Sequence, residues 1–569
     1  MATVERLARS DSVTTGTSFA TDIQEKQLQE KGASKPPGNT IVAISEGEED
    51  ENVGYSEYKQ GLAENEITPE ENRAIRWRID LTILMMFLVT QTLQFLDKTA
   101  LNYANLFGFQ AALKLEGNQF NWLSGMVYFG YAVTQYPIQI LIGKYSAQKV
   151  LAVTVFMWGL VVLTSNHLFS ITSALLMRSV SVVKCTNFHT AMLNRFVLGM
   201  FEASVSPSLT LMTGWWYTRV GFLYCASVNP SKSDFISTKH EIPLRQFIWY
   251  SALGWGGVIG SYVSTGISTI SSTAPGPQKW QYIFYILGGV TMLWSFVIFF
   301  FLPDSPATAR FLTPRQRILA VQRVAGNQLG IKNKRFKREQ VIVALKDFKI
   351  WILFSSVFAA AIPNGVVSNF SAIIIQDMGF STTKTTVLKS VGDITQIVAL
   401  IIGGVITLNF KDTRLIATTA ANIICVVAAA TMAYLPRHMV WSRLVSFWLV
   451  NCQSVGFAVS LVMVSSNMGG YTHRTIASGV IFTAYCFGNV AGPFVLLTPV
   501  HKDKQSQAPF YQDATVGLLA GYTIKLVCQI ALFFYAAIGK YGPPDLGASK
   551  EAGMQDKTEY ENKDFRYVL

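Results

Sequence analysis

The chain has 569 residues, of which 50% are hydrophobic and only 14% are charged, and its mean hydropathy is +0.30. Because soluble proteins carry charge on about a quarter of their residues, this composition argues against a soluble enzyme and indicates a membrane protein. The net charge of +12 does not indicate nucleic-acid binding, since basic residues concentrate between apolar segments. The six cysteines and six histidines are dispersed, so we expect neither a disulfide framework nor a metal site.

The N-terminal residues 1–78 are polar and include the acidic run GEEDEN at 47–52. Such a segment buries too little apolar surface to fold, so we predict a disordered tail on the cytoplasmic side. No basic start followed by an apolar stretch and a small-residue cleavage site precedes the first apolar run. A cleaved signal peptide is therefore not expected.

Apolar runs long enough to cross roughly 30 Å of hydrocarbon recur along the rest of the chain. They predict an all-α membrane protein with twelve transmembrane helices, and the widest gap follows the sixth. The fifth and seventh runs are long enough to tilt or kink. The predicted spans are 79–103, 120–142, 149–166, 187–210, 244–270, 280–302, 348–376, 386–408, 414–435, 444–466, 475–497 and 516–538.

The gap after the sixth span, 303–347, is rich in lysine and arginine. Positive charge between spans is typical of the cytoplasmic side, so we predict a basic cytoplasmic loop there. The loop would join two six-helix bundles, 79–302 and 348–538, and both termini would lie in the cytoplasm. The C-terminal tail, 539–569, has mixed charge and is predicted to be unstructured.

The fourth predicted span contains two charges, Arg195 and Glu202. Seven residues are about two helical turns, so both side chains lie on one face, roughly 10 Å apart along the axis. Charge inside a bilayer is unfavourable unless it faces a partner or a water-filled cavity, and it therefore indicates a functional site. A fixed ion pair that holds the fourth helix against a neighbour is the alternative.

The sequence from Arg78 to Lys540 contains a specific combination of short motifs. They are QFLDKTALNYA (94–104), YFGYAVTQYP (128–137), NRFVLGMFEA (194–203), GWWYTR (214–219), LPDSP (302–306), PNGVVSNF (363–370), YTHRT (471–475) and FTAYCFGNVAGP (482–493). Together they resemble the fungal anion:cation symporters of the major facilitator superfamily, and the allantoate permease family in particular. The resemblance implies a major facilitator fold with a substrate site at the midplane between the halves.

The resemblance also implies a function. Members of this family import small organic anions such as allantoate, ureidosuccinate, nicotinate or similar carboxylates together with protons. The expected protein is a plasma-membrane transporter and not an enzyme, a monomer in the lipid bilayer, with no cofactor beyond the proton gradient and no nucleic-acid partner. A non-transporting nutrient sensor of the same fold and a multidrug efflux carrier remain alternatives.

Four charged residues receive roles from this resemblance. Glu202 is expected to carry the proton and Asp97 to be a second titrating group, while Arg195 and Lys98 form the cationic side of the substrate site. For Asp97 and Lys98, a location at the extracellular interface, where charge is easily accommodated, is the alternative. Softer substrate-binding candidates, for which interhelical packing is equally plausible, are Tyr128, Tyr131, Asn369, Tyr485 and Asn489.

Two stretches depart from the family pattern, residues 167–184 and 220–239. The second begins with valine and ends with lysine, as an in-frame retained intron with GT and AG ends would. A genuine loop insertion, which surface connections tolerate, is the alternative. The loop GKYSAQK at 143–149 keeps the glycine and bases of a superfamily motif but lacks its acidic residue. The glycines of GWGGVIG at 254–260 are expected to allow close helix packing.

Overall fold

The structure is a computed structural model of the chain. It describes residues 52–53, 68–164, 188–218, 241–270, 277–325, 332–333, 337–410, 413–436, 438–495, 512–538, 556–562, 565 and 567. The two departures from the family pattern, 167–184 and 220–239, lie outside these residues, as does most of the predicted N-terminal tail. Nearly all of the described chain is helical.

Within the described residues, ten α-helices precede the long central connection. They are α1 (Pro69–Ile79), α2 (Met85–Leu106), α3 (Phe109–Ala112), α4 (Gln119–Lys144), α5 (Ala147–Thr164), α6 (Phe188–Glu202), α7 (Val205–Trp216), α8 (Glu241–Tyr250), α9 (Ala252–Ser268) and α10 (Lys279–Phe301). A π-helical turn, Asp80–Leu84, joins α1 to α2. The remaining helices are α11 (Pro314–Ala325), α12 (Arg338–Lys346), α13 (Phe348–Asp377), α14 (Thr382–Asn409), α15 (Arg414–Tyr434), α16 (Val440–Leu449), α17 (Gln453–Asn467), α18 (Tyr471–Val495) and α19 (Gln512–Ile538).

Each predicted span coincides with a helix or a pair of consecutive helices. Ten of these segments in the described part of the chain are long and apolar enough to cross a membrane, which confirms the all-α membrane fold. The second predicted span, α4, is helical but less apolar, because it contains several glycines, tyrosines and glutamines. The fifth is divided into α8 and α9, with 10 and 17 residues, and neither helix alone is long enough to cross a membrane. The predicted count of twelve transmembrane helices is therefore supported by the positions of the helices and not by hydropathy alone.

The first helix begins earlier than the sequence analysis predicted. Thr68 caps α1 in a reciprocal capping box: its hydroxyl accepts from the backbone N–H of Glu71, whose carboxylate accepts from the N–H of Thr68. Pro69 follows at the first helical position, where the backbone N–H that proline lacks would have no hydrogen-bond partner within the helix. Residues 69–78, assigned to the disordered tail, are therefore helical. A two-residue strand β1 (Asn52–Val53) in that same tail pairs antiparallel with β2 (Lys332–Asn333).

The predicted disorder of the C-terminal tail is wrong for part of its length. Asp556 and Glu559 are buried on the face of the molecule that carries the central connection, called here the loop face. The carboxylate of Glu559 is 2.7 Å from the ammonium of Lys349, at the start of α13. Buried ion pairs hold this segment against the helices. The prediction missed it because it relied on the pattern of hydrophobic residues, which does not show ion pairs.

The two predicted bundles contact each other along several helix pairs: α4 packs on α18, α8 and α9 on α14, α2 on α13, and α7 and α8 on α17. Polar side chains join the halves, for example Asn102, whose amide donates to the hydroxyl of Ser371 at 2.9 Å. The glycines of α9 allow the second contact, because a Cβ on Gly257 would lie 2.2 Å from the Cγ of Asp393. The predicted packing role of GWGGVIG is confirmed.

Polar contacts attach the first part of the central connection to the N-terminal half. Arg323 of α11 donates to both carboxylate oxygens of Glu241, at 2.8 and 2.9 Å, and so ties α11 to the N-terminal half. Just before α11, the carboxylate of Asp304 accepts from the first N–H of α5, at Ala147. Asp304 therefore places an acidic group beside the loop GKYSAQK, whose own sequence lacks one. The carboxylate also stabilises the N-terminus of α5.

Candidate functional site

The ammonium of Lys98, on α2, is the centre of the charged site in the N-terminal half. It lies 3.1 Å from the carboxylate of Glu202 at the end of α6, and the Glu202 side chain is fully buried. Three tyrosine rings surround the ammonium: those of Tyr128, Tyr131 and Tyr485, at 6.0, 5.5 and 5.4 Å from their centroids. Aromatic faces attract a desolvated cation, so they help to keep Lys98 charged inside the protein.

Asp97 and Arg195 complete this cluster. Asp97 is 2% exposed, so its side chain is buried within the protein. Its carboxylate accepts from the indole N–H of Trp158 at 2.9 Å, and the Arg195 guanidinium stacks on the ring of Phe284 at 5.5 Å. Trp158 and Phe284 were not singled out from the sequence, because single aromatic residues in apolar helices carry no pattern.

A small cavity joins these groups. Its lining brings together the four predicted charged residues and two of the predicted polar ones: Asp97, Lys98, Tyr128, Arg195, Glu202 and Asn369. Two cations and two carboxylates therefore face one enclosed space. If all four are ionised, their charges cancel, and an added anion would leave the site with one excess negative charge.

Close helix packing sets this geometry. A Cβ on Gly199 of α6 would lie 1.9 Å from the carbonyl oxygen of Val127, and one on Gly130 of α4 would lie 2.1 Å from that of Phe196. The two glycines therefore let the backbones of α4 and α6 touch. This contact places Glu202 beside the tyrosines of α4 that surround Lys98.

Two predicted substrate-binding residues, Tyr131 and Asn489, are not among the residues that line this cavity or the second one described below. Asn489 is fully buried; its side-chain oxygen accepts from the amide of Asn364 at 2.8 Å, and its own amide donates to the backbone oxygen of Tyr485. The bond with Asn364 joins α13 to α18, as the interhelical-packing alternative for Asn489 predicts. Tyr485 itself lines a second cavity and so lies between the two cavities.

The second cavity, called here the central cavity, lies between the halves. Phe95, Thr99 and Tyr250 contribute from the N-terminal half, and α13, α14, α16, α17 and α18 from the other. It contains an ion pair absent from the sequence-based predictions, Lys389 with Asp393 on α14, at 2.9 Å. The sequence does contain a pattern that could have predicted this pair. Two opposite charges lie four residues apart in an apolar helix, and this pattern indicates a functional site as strongly as Arg195 with Glu202 does.

One group of residues at the loop face could hold a metal ion. Asp347, His473 and Glu559 offer ligand atoms within 4.8 Å of one another. The ammonium of Lys349 already lies 3.3 Å from Asp347 and 2.7 Å from Glu559. A divalent ion would have to displace this ammonium, so the cluster fits a network of ion pairs better than a metal site.

Comparisons with known proteins agree with this architecture. A family model described as Major Facilitator Superfamily matches residues 87–493. Among solved structures, the proton:xylose symporter XylE superposes with a TM-score of 0.59 at 13% sequence identity, over 79% of this chain and 95% of that one. At this identity the likeness concerns the fold alone.

Similar relatives are fungal transporters. An allantoate permease of Saccharomyces cerevisiae is 27% identical over 94% of this chain and 92% of its own length. A thiamine pathway transporter of the same yeast is 25% identical over 99% of this chain and 98% of its own. An uncharacterized transporter of Schizosaccharomyces pombe is 29% identical, and the match covers 88% of this chain and 87% of that protein.

Proposed function

This chain belongs to the major facilitator superfamily, and from that premise we propose that it imports a small organic anion together with protons. It is a multi-pass membrane transporter and not an enzyme. The observation that carries the proposal is the buried ion pair of Lys98 and Glu202 in a cavity shared with Arg195 and Asp97. This cluster supplies both a cationic surface for an anion and carboxylates that can take up a proton.

The ion pair provides a physical link between proton and anion. In the structure Glu202 holds the ammonium of Lys98 at 3.1 Å, so a substrate carboxylate must compete with Glu202 for that cation. A proton on Glu202 removes its charge and frees Lys98, and the cluster then carries one positive charge that an anion can neutralise. Proton and anion therefore favour each other's binding, which is the thermodynamic requirement for symport.

The substrate class is a small carboxylate such as allantoate, ureidosuccinate or nicotinate. The similarity to an allantoate permease supports this class, and so do two cations in one small cavity. The plasma membrane is the proposed location and the monomer the proposed state. The halves would rock about the site to expose it to each side of the membrane in turn.

The test is transport by the purified full-length protein in proteoliposomes with an imposed pH gradient. Each of the three acids is offered as a radiolabelled substrate, and exchange between two substrate pools is measured in parallel. Glu202→Gln mimics the protonated carboxyl and cannot release a proton. We expect it to abolish accumulation driven by the pH gradient while exchange persists; Glu116→Gln, an exposed carboxylate, serves as the matched control.

Four outcomes would contradict the proposal. Accumulation against a gradient by Glu202→Gln would move the proton site elsewhere, with Asp97 as the next candidate. Loss of folding would instead indicate a structural pair, because removing one partner of a buried pair costs about 3–5 kcal/mol. Binding of these acids without transport by the wild type would indicate a sensor, and outward transport of uncharged drugs would indicate an efflux carrier.

A further inference from the structure

Helix α12 lies on the loop face directly before α13, and one side of it is fixed against the protein. Gln340 and Ala344 are buried on that side. The amide of Gln340 donates to the backbone oxygen of Asp556 at 2.8 Å, and its oxygen accepts from the N–H of His473 at 3.2 Å. These bonds determine which side of α12 faces away from the protein.

The outward side of α12 combines apolar and basic side chains. Ile342 and Leu345 are 56% and 50% exposed. Arg338 and Lys346, four residues before and four after Ile342, are exposed as well. Residues four apart are neighbours on a helix surface, so the two bases flank Ile342 in one row. Glu339 is the single exposed acid of this helix.

The apolar part of this side is continuous with the surface of α13. Phe348 and Trp351, in the first turn of α13, are 63% and 45% exposed. The indole N–H of Trp351 donates to the backbone oxygen of Leu345 at 2.9 Å, so its ring lies against the end of α12. Because α13 is long and apolar enough to cross a membrane, these side chains lie where the bilayer begins, and tryptophan is enriched at that boundary.

The charge around α12 identifies the kind of membrane surface that it fits. Residues 332–346 contain one acid, Glu339, and six bases: Lys332, Lys334, Arg335, Lys337, Arg338 and Lys346. Lys337 pairs with Asp556 at 3.1 Å, whereas Arg338 and Lys346 flank the apolar side chains. A helix with an exposed apolar stripe between basic residues is typical of segments that lie in the plane of an anionic membrane surface.

We propose that α12 binds anionic lipid headgroups of the leaflet at the loop face. Arg338 and Lys346 donate to the phosphate and carboxylate oxygens of the headgroups, which are strong acceptors for charged donors. Ile342 and Leu345 insert between the headgroups and the first acyl carbons. This lipid site goes beyond the proposed transport function and does not depend on which substrate is carried.

The experiment measures hydrogen exchange of the full-length protein in lipid nanodiscs. One bilayer contains phosphatidylcholine alone, and the other is a mixture with phosphatidylserine. We expect the protection factors of residues 338–346 to be about tenfold higher in the mixed bilayer, because each basic side chain near an anionic surface binds it favourably. Soluble glycerophosphoserine, added to the phosphatidylcholine nanodiscs, should have no such effect, since it offers no acyl region for the apolar side chains.

The variants separate the charged contacts from the apolar ones. Arg338→Gln/Lys346→Gln should abolish the gain in protection from phosphatidylserine and keep the protection seen in phosphatidylcholine. Ile342→Ser/Leu345→Ser should lower the protection in both bilayers. All four side chains are exposed, so we expect these variants to fold. Lys384→Gln is the control: this exposed lysine at the start of α14 lies beyond the far end of α13, and the variant should behave as the wild type.

Each other outcome overturns the inference. Equal protection of wild-type α12 in the two bilayers would show that it does not bind anionic headgroups. A full gain from phosphatidylserine in Arg338→Gln/Lys346→Gln would place the lipid contact elsewhere. Protection by free glycerophosphoserine would indicate a site for soluble anions. Unchanged protection in Ile342→Ser/Leu345→Ser would mean that α12 does not enter the leaflet and that its apolar side serves a protein contact.

Discussion

The buried cations of the N-terminal half, Lys98 and Arg195, have different surroundings and therefore different expected tasks. Lys98 contacts Glu202 and three tyrosine rings, so its charge is already engaged and becomes available through Glu202. Arg195 lies over Phe284 and lines the same cavity. Its planar guanidinium can bind a carboxylate through two parallel N–H groups, which an ammonium cannot do.

Arg195→Lys should therefore impair transport although it preserves the charge. We expect the apparent substrate constant to rise about 10- to 100-fold, which corresponds to about 1.5–3 kcal/mol for hydrogen bonds to a charged group, with surface expression unchanged. Arg195→Gln should be at least as severe. Concentration-dependent uptake is the measurement, and Arg338→Lys, an exposed arginine of α12, is the control. Unchanged uptake by Arg195→Gln would exclude this residue from the site.

At the scale of elements, the packing of α4 on α6 determines whether the site forms. Gly199→Ala would place a methyl group 1.9 Å from the carbonyl oxygen of Val127, and backbone cannot move aside as a flexible side chain can. The two helices must separate, which shifts Glu202 relative to Lys98. We expect a loss of about 1–3 kcal/mol, as for other overpacked interiors, together with loss of transport.

The control for this prediction is Gly289→Ala in α10, where an added Cβ meets nothing within 4 Å. Alanine is the better helix former by about 1 kcal/mol, so this variant should be as stable as the wild type or slightly more stable. Thermal unfolding of both purified variants is compared with uptake. Equal stability and transport of the two variants would show that α4 and α6 do not require the close approach.

The sequence predicted the positions of the helices well but their ends and interruptions poorly. Hydrophobic runs reveal where a helix can lie in lipid, so all predicted spans coincide with helices. The early start of α1 depends on the capping box at Thr68, a polar signal outside any apolar run. The break between α8 and α9 at Ser251 depends on tertiary packing that no local pattern encodes.

The site could be predicted only in part for a related reason. Charges within apolar spans are easily recognised, so Asp97, Lys98, Arg195 and Glu202 were identified, and the structure places them around one cavity. The partner of Glu202 could not be deduced, because the contact with Lys98 joins residues 104 positions apart. Asn489 is a polar residue of the same kind as Asn369, and only the fold shows that its hydrogen bonds are used between helices.

At the scale of the whole molecule, the loop face is fastened by a network around Glu559 of the C-terminal tail. Glu559 pairs with Lys349 and His473, and its carboxylate accepts from the N–H of Gly469. Burial alone would raise the pKa of Glu559, but the Lys349 ammonium and the His473 hydrogen bond outweigh it and lower the pKa to about 2. The same two neighbours lower the pKa of Asp347 against the effect of burial.

A lowered pKa means that the docked tail is stabilised by the ionised carboxylates. This contribution is fully present above the ordinary glutamate pKa of 4.5 and is lost as the pH falls toward about 2. The protection factors of residues 556–562 against hydrogen exchange, taken relative to the unfolded chain at the same pH, should therefore be high at neutral pH and fall through this window. Glu559→Gln should expose the segment already at pH 7, because Lys349 then loses a buried partner.

Glu339→Gln, an exposed carboxylate on α12, is the matched control for the tail and should leave hydrogen exchange unchanged. Exchange of residues 556–562 that is equally slow at pH 7 in Glu559→Gln would show that the backbone contacts of Asp556 suffice for docking. Asp556 could hold the tail without Glu559, because its carboxylate accepts from the N–H of Tyr471 and its backbone oxygen accepts from the amide of Gln340.

The buried tail also has a genetic consequence. A late frameshift or stop codon that removes residues 556–569 spares every predicted span, and such an allele would ordinarily be classed as harmless. In this protein the truncation would expose Lys349, Asp347 and His473 to solvent. These charged or polar side chains are buried in the intact chain. Alleles truncated within residues 556–569 should therefore behave as partial loss-of-function alleles, and their severity should follow whether Glu559 is retained.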